Sequence, residues 1–147
     1  MTPQLQQWLE FLQKPSKAFS GLPPCPFAKA SFQNNKVEII DYVNLLQVIE
    51  YMNKPWEKDV VIFVMKNEPV HYIEHVALKL SVMYPDFIFL EEHPDLVEEI
   101  DGVKMNSGMC MLLVQNRKHL EDARSDLKKT EYYNKWTQEL KDRIWNK

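Results

Sequence analysis

Cys25 is the residue whose type and surroundings most directly suggest chemistry. It lies between two prolines in the segment from Pro24 to Lys29, and proline restricts the backbone on either side of it. A thiol held in this way, with the charge of Lys29 nearby to lower its pKa, could act as a nucleophile or as a metal ligand. A buried cysteine in a rigid loop is the alternative, because cysteine is among the most buried residue types. No second cysteine lies close by, so the segment is not a CxxC redox pair.

A second set of polar residues surrounds His93. Glu92 and His93 end a predicted strand, where α/β sheets place their binding sites. The surrounding segment 86–101 contains seven acidic residues and neither Lys nor Arg. His93 could therefore act as the base or the second ligand beside Cys25, and the carboxylates could hold a cation or raise the pKa of the imidazole. A solvated acidic loop is the alternative.

The turn before the last predicted strand supplies further polar groups. Asn106 and Ser107 precede a glycine, and Lys104 lies just before them. Together with Lys29, these side chains are candidates for anchoring an anion or a polar ligand. Turn formation alone also explains an Asn-Ser-Gly sequence. Cys110, in the strand that follows, is expected in the core.

His71 and His75 match the HxxEH pattern of inverted zinc peptidases. A spacing of four places both imidazoles on one face of a helix, where they could reach one metal ion, and Glu74 would be the base. The third ligand would have to come from a distant segment, and a pattern this short arises readily by chance. Solvated or capping histidines are therefore predicted, with no metal site.

The elements that position these residues are predicted from apolar spacing and from helix breakers. Residues 1–14 form an N-terminal helix, which begins at Thr2-Pro3. Residues 15–35 form a long loop with four prolines, too apolar to be a disordered tail. Residues 117–147 form a charged C-terminal helix with an aromatic end, whose mixed charges indicate a solvent-facing side.

Between these segments, strands and helices alternate in the order βαβαββα. The continuous apolar run 59–65 indicates a strand that is covered on both faces. Alternation predicts parallel neighbours, and the last two strands, with no long helix between them, are expected to be antiparallel. The sequence thus predicts one α/β domain with a mixed sheet of about four strands. A thioredoxin-like domain has this order, and a ferredoxin-like sandwich is the alternative.

Composition limits the classes of function. The three glycines are placed so that neither a GxGxxG loop nor a phosphate-binding P-loop can be formed. The formal net charge of −3 argues against nucleic acid as a partner. The longest apolar run, 60–65, is far shorter than the roughly 20 residues of a membrane-spanning helix. With no signal peptide apparent, we expect a cytoplasmic protein with both cysteines reduced.

The order of several motifs resembles that of a family of uncharacterised small proteins with a Cys-Pro-Phe-Ala-Lys motif. The shared features are Trp8, Cys25-Pro26-Phe27-Ala28-Lys29, His93-Pro94, Asn106-Ser107, and Leu112-Leu113 before Arg117. The chain departs from the family at Pro24, where the family has leucine, and at 107–111, where the family has Arg-Ser-Pro-Tyr-Pro. The resemblance implies common ancestry and no particular activity. It groups four residues into one candidate cluster: Cys25, His93, Asn106 and Ser107.

Two classes of function follow. The first is a thiol-dependent enzyme, or a protein that binds a small ligand or a metal, with its site around Cys25 and His93. The second is a non-catalytic module that binds a protein partner through the aromatic C-terminal helix or the acidic loop 86–101. The residues do not specify a substrate, a cofactor or a partner within either class.

Overall fold

The helices and strands follow the apolar patterns of the sequence in the computed structural model, which describes residues 1–147. The helices are α1 (Pro3–Leu12), α2 (Ala28–Gln33), α3 (Leu45–Met52), α4 (Val70–Met83), α5 (Arg117–Lys128) and α6 (Gln138–Trp145). The strands are β1 (Val37–Val43), β2 (Val60–Met65), β3 (Phe87–Glu92), β4 (Glu99–Ile100), β5 (Val103–Lys104) and β6 (Met111–Asn116). The four longer strands form one mixed sheet in the order β1-β2-β6-β3. The sheet is parallel at β1-β2 and antiparallel on both sides of β6.

The strand β2 lies inside this sheet with both faces buried. Val61 and Phe63 face the core formed with α3 and α4, whereas Ile62 and Val64 face the core formed with α1. A strand covered on both faces has no solvent side that would call for polar residues, so its sequence is continuously apolar rather than alternating. The prediction from the run 59–65 is confirmed.

Short-range side-chain caps fix the starts of α1, α3 and α5. The Thr2 hydroxyl accepts the N–H of Leu5 at the start of α1, and proline follows at the first helical position. Asn44 and Gln47 form a reciprocal capping box at the start of α3. The Asn116 side chain accepts the N–H of His119 at the start of α5, directly after β6. These caps are local, and they explain why the elements begin where they do.

Residues 117–147 differ from the single helix predicted for them. They form two helices, α5 and α6, joined by a turn. At the end of α5 the Thr130 hydroxyl accepts the N–H of Tyr132, a side-chain bond that competes with helix continuation. Tyr132 and Tyr133 are then buried in a third core with Phe19, and Thr137 caps α6. The gain from burying these aromatic rings outweighs the helical propensity of the sequence between α5 and α6.

The segment 15–35 also carries more regular structure than the loop predicted for it. It contains a 3-10 turn at Lys17–Phe19 and the helix α2. From β1 to α5, apart from the short hairpin β4-β5, the chain order is βαβαββα, and α6 follows as a second C-terminal helix. The predicted α/β domain with a mixed four-stranded sheet is confirmed. A ferredoxin-like sandwich has the order βαββαβ, which is not the order found. The likeness to thioredoxin-like domains stays a prediction.

Candidate functional site

Cys25 is held against the end of α1 by backbone hydrogen bonds. Its N–H donates to the Leu12 carbonyl at 2.9 Å, and its own carbonyl accepts the N–H of Ala28 at the start of α2. Burial raises the pKa of the Cys25 thiol, and backbone N–H groups of Ala28 and Phe27 oppose the rise only in part. Lys29 is exposed, and no cation contributes to this pKa. The thiol is therefore protonated at neutral pH, contrary to the activated thiol expected from Lys29.

His93 is buried, and both of its ring nitrogens are occupied. Nε2 lies 2.6 Å from the backbone carbonyl of Glu68, and Nδ1 accepts the N–H of Asp95 at 3.0 Å. This pattern assigns the proton to Nε2, because Nδ1 is already an acceptor. The ring joins the loop after β2 to the loop after β3. Its bonds are those of a structural histidine, with no nitrogen free to act as a base.

The structure does not bring Cys25 and His93 together. Cys25 shares a groove with Gln115, near the C-terminal end of β6. His93 follows Glu92, which pairs with Met111 at the opposite end of β6. The spacing of four residues from Met111 to Gln115 separates the two regions by roughly 13 Å along the strand. The predicted nucleophile–base or ligand pair is therefore not formed, because β6 runs antiparallel to β3 and carries the two sites to opposite ends of the sheet.

Glu92, Asn106 and Ser107 do lie together, at the His93 end of the sheet. The Ser107 N–H donates to Glu92 Oε2 at 3.3 Å, and the Ser107 hydroxyl accepts the N–H of Met109. The Asn106 amide donates to the Leu96 carbonyl. These contacts join one loop to another. They fit turn formation, which was the alternative to a ligand site.

The other charged groups predicted for the site are Glu92, whose pKa is shifted by its surroundings, and the lysines Lys104 and Lys29. Burial and the nearby Glu98 carboxylate raise the pKa of Glu92 to about 8, opposed by the Ser107 N–H and by Arg143. Lys104 is exposed in the hairpin β4-β5, apart from these contacts. The hairpin turns at Asp101 and Gly102, whose positive φ angles of 51° and 78° suit a two-residue turn. Neither Lys104 nor Lys29 lines the cavity beside Cys25.

His71 and His75 are exposed on the outer face of α4. The nearest acidic group to His71 is Glu74, 4.0 Å away on the same helix. No group of three or more His, Cys, Asp or Glu side chains is arranged to hold a metal ion. The HxxEH pattern therefore has no third ligand in this fold.

The two surfaces predicted to bind a protein partner are largely used within the chain. In the acidic segment, Glu91 pairs with Lys147, and Glu98 pairs with Arg143 at 3.0 Å. The aromatic residues at the end of the chain pack on one another and on Phe19, with Tyr133 and Trp145 edge to face at 5.2 Å. The contacts of the acidic loop and of the aromatic end thus hold the C-terminal helices against the rest of the domain.

A groove lies beside Cys25, and we call it the Cys25 groove. Its volume is about 390 Å³, and twelve of its eighteen lining residues are apolar. One wall comes from α1, Cys25 and α2, and the floor from β1, β2 and β6. The other wall consists of five residues of α5: His119, Leu120, Asp122, Ala123 and Asp126. Sequence reasoning missed this wall, although spacings of three and four along a predicted helix place these residues on one side of it.

The charges around the Cys25 groove are acidic. Asp59, Asp122 and Asp126 line it together with His119, and no Lys or Arg does. The Ser31 hydroxyl donates to Asp59 at 2.9 Å and fixes that carboxylate. Asp126 has one exposed cation, Lys129, at 3.8 Å. The groove therefore combines an apolar interior with carboxylates at its edge.

Comparison with known proteins does not assign this chain to a family. No family model matches the sequence, and neither a curated protein nor a solved structure matches it significantly. None of the helices is both long enough and apolar enough to cross a membrane. The function must therefore be argued from the Cys25 groove itself.

Proposed function

We propose that this protein binds a small, mainly apolar molecule in the Cys25 groove. The observation that carries the proposal is the volume of about 390 Å³ with a predominantly apolar lining. Cavities that hold small molecules span roughly 300–1,000 Å³ and are lined mainly by apolar side chains with few polar groups. A ligand that buries about 200 Å² of apolar surface gains roughly 5 kcal/mol before its loss of freedom is counted.

Binding is favoured over thiol-dependent catalysis. A nucleophilic cysteine needs a lowered pKa or an adjacent base. The pKa of Cys25 is raised instead, and His93 lies at the other end of the sheet. His119 lines the same groove, but its ring makes no hydrogen bond to the thiol and does not lower the thiol pKa. Cys25 therefore contributes to the apolar wall of the groove, as a small hydrophobic side chain does.

The Cys-Pro-Phe-Ala-Lys segment supports the same proposal. Three of its five residues line the groove: Cys25, Phe27 and Ala28. The buried Tyr132 hydroxyl donates to the Pro24 carbonyl and so ties this segment to the C-terminal helices. If the resemblance reflects common ancestry, we propose that the motif serves to build this wall in the related proteins as well.

We also propose a cytoplasmic location and no role in nucleic-acid binding. Both cysteines, Cys25 and Cys110, are free thiols, which a reducing compartment maintains. The formal net charge is −3, whereas proteins that bind nucleic acid usually present a basic face.

The test is binding of prodan, a neutral apolar fluorophore, to the wild-type protein and to two matched variants. Ala123→Phe places a ring in the groove from α5, and we expect it to weaken binding by at least about tenfold through overpacking. Ala30→Phe makes the same change at an exposed site on α2 outside the groove and should leave binding unchanged. Absence of saturable binding to the wild type, or equal binding by Ala123→Phe, would contradict the proposal.

A further inference from the structure

The carboxylates of the Cys25 groove lie on two of its sides. Asp59 comes directly before β2, where the floor of the groove reaches its edge, and Asp122 and Asp126 belong to α5 on the other wall. Asp59 and Asp122 take part in no ion pair. Two uncompensated negative charges at the edge of an apolar groove favour an occupant of opposite charge.

Two lysines adjoin Asp59, and both are directed elsewhere: Lys58 precedes it in the chain, and the Lys36 carbonyl accepts its N–H. Lys36 donates its ammonium group to the backbone carbonyl of Glu57, and Lys58 donates to the carbonyl of Asn35. On α5, Lys128 lies over the ring of Trp145, 4.3 Å from its centroid. The charge of the groove is therefore not cancelled by these side chains.

Two aromatic rings in the groove add to the same preference. Phe27 and Phe32 both line it, and Phe27 is 44% exposed, which is high for a phenylalanine. The faces of aromatic rings carry negative potential and attract organic cations. An anionic headgroup would gain nothing from the faces of these rings, and it would be repelled by the carboxylates.

We infer that the ligand of the Cys25 groove is a cationic amphiphile, with an alkyl or aromatic body and an amine or quaternary ammonium group. This inference rests on the proposed binding function and names the ligand class. The apolar body occupies the interior between Leu113 and Ala123, and the cation lies at the edge near Asp59 and Asp122. An anionic counterpart of the same shape binds least well.

The experiment compares three ligands with the same eight-carbon chain: octyltrimethylammonium, 1-octanol and octanoate. Titrations followed by NMR give the dissociation constant of each at low ionic strength. We expect the ammonium compound to bind at least about fivefold more tightly than the alcohol, since each exposed charge pair contributes a modest amount. Octanoate should bind more weakly than the alcohol, and added salt should reduce the advantage of the ammonium compound.

A double variant locates the cation. Asp59→Asn with Asp122→Asn should reduce the advantage of the ammonium compound to about twofold or less while leaving the affinity for 1-octanol unchanged. Asp86→Asn, at an exposed carboxylate outside the groove, is the matched control and should change neither value.

The outcomes separate the ligand class from the function. If 1-octanol and prodan bind but the ammonium compound binds no more tightly, the cationic class is overturned and the binding function stands. If the ammonium compound keeps its advantage in the double variant, the assignment to Asp59 and Asp122 is overturned. If none of the three ligands binds and prodan does not bind either, the proposed function itself fails.

Discussion

The two ends of the sheet contrast in how their polar groups are satisfied. At the His93 end, polar side chains are many, and they bond to other parts of the chain: His93 to Glu68 and Asp95, and Ser107 to Glu92 and Met109. At the Cys25 groove, polar side chains are few, and two carboxylates have no cation. A polar cluster whose bonds are all internal stabilises the fold, whereas an apolar cavity with unpaired charges at its edge has capacity left for a ligand.

The largest expected effect on the free energy of unfolding is at His93. His93→Leu leaves the Glu68 carbonyl and the Asp95 N–H without their side-chain partner, so the free energy of unfolding should fall by about 2–4 kcal/mol. Urea denaturation measures the change. His75→Leu, at an exposed position of α4, is the control and should shift stability by less than about 0.5 kcal/mol. A stable His93→Leu protein that has lost prodan binding would break the contrast, because it would place His93 in the ligand site.

At Glu92 we expect a smaller effect on the free energy of unfolding, and this effect depends on pH. Its pKa in the folded protein is about 8, above the ordinary 4.5, so between these values the folded state binds more protons than the unfolded state. The contribution of Glu92 to the free energy of unfolding therefore declines as pH rises from 5 to 8, and it is lowest above pH 8.

Glu92→Gln should remove this decline and raise stability at pH 8.5 by at least about 1 kcal/mol relative to the wild type. Urea denaturation across the pH range measures it. Glu99→Gln, at an exposed position of β4, should leave the slope unchanged. An unaltered slope in Glu92→Gln would mean that the carboxylate is solvated, and the His93 end would then resemble the groove edge.

The smallest effect is expected at the Cys25 thiol. In a Cys110→Ala background, labelling of Cys25 by an alkylating agent should be slow at pH 7 and should accelerate only above about pH 9, because burial raises the thiol pKa above its ordinary value of 9.0. Saturating prodan should slow the reaction further by covering the groove. Rapid labelling at pH 7 would show an activated thiol and would favour the enzyme hypothesis over binding.

Much of the fold was predictable because its determinants are local. The apolar run of β2, the Thr2-Pro3 start of α1 and the alternation of strands with helices act over a few residues. The division of residues 117–147 into α5 and α6 was not predictable in the same way. It depends on burial of Tyr132 and Tyr133 against Phe19, more than a hundred positions earlier in the chain.

The candidate site was predicted only in part, and for a physical reason. Sequence analysis identified Cys25 and the long loop around it, since two prolines beside a cysteine form a local signal. It grouped Cys25 with His93 because both are reactive residue types. Spatial proximity depends on strand direction, which neither residue encodes. The residues that do meet Cys25 across the groove, such as Ala123 and Asp122, are of ordinary type and appear as one side of a charged helix.

The sequence by itself determined the α/β class, the positions of most helices and strands, and the exclusion of glycine-rich nucleotide loops. Those features follow from side-chain periodicity, caps and residue counts. Only the tertiary structure decided which segments share a site. The strand β6 is inserted between β2 and β3, so α5, which follows it directly, lies on the same face of the sheet as α1 and α2 and closes the Cys25 groove opposite them. No single segment specifies that order, because each strand satisfies its backbone groups on a neighbour and not within itself.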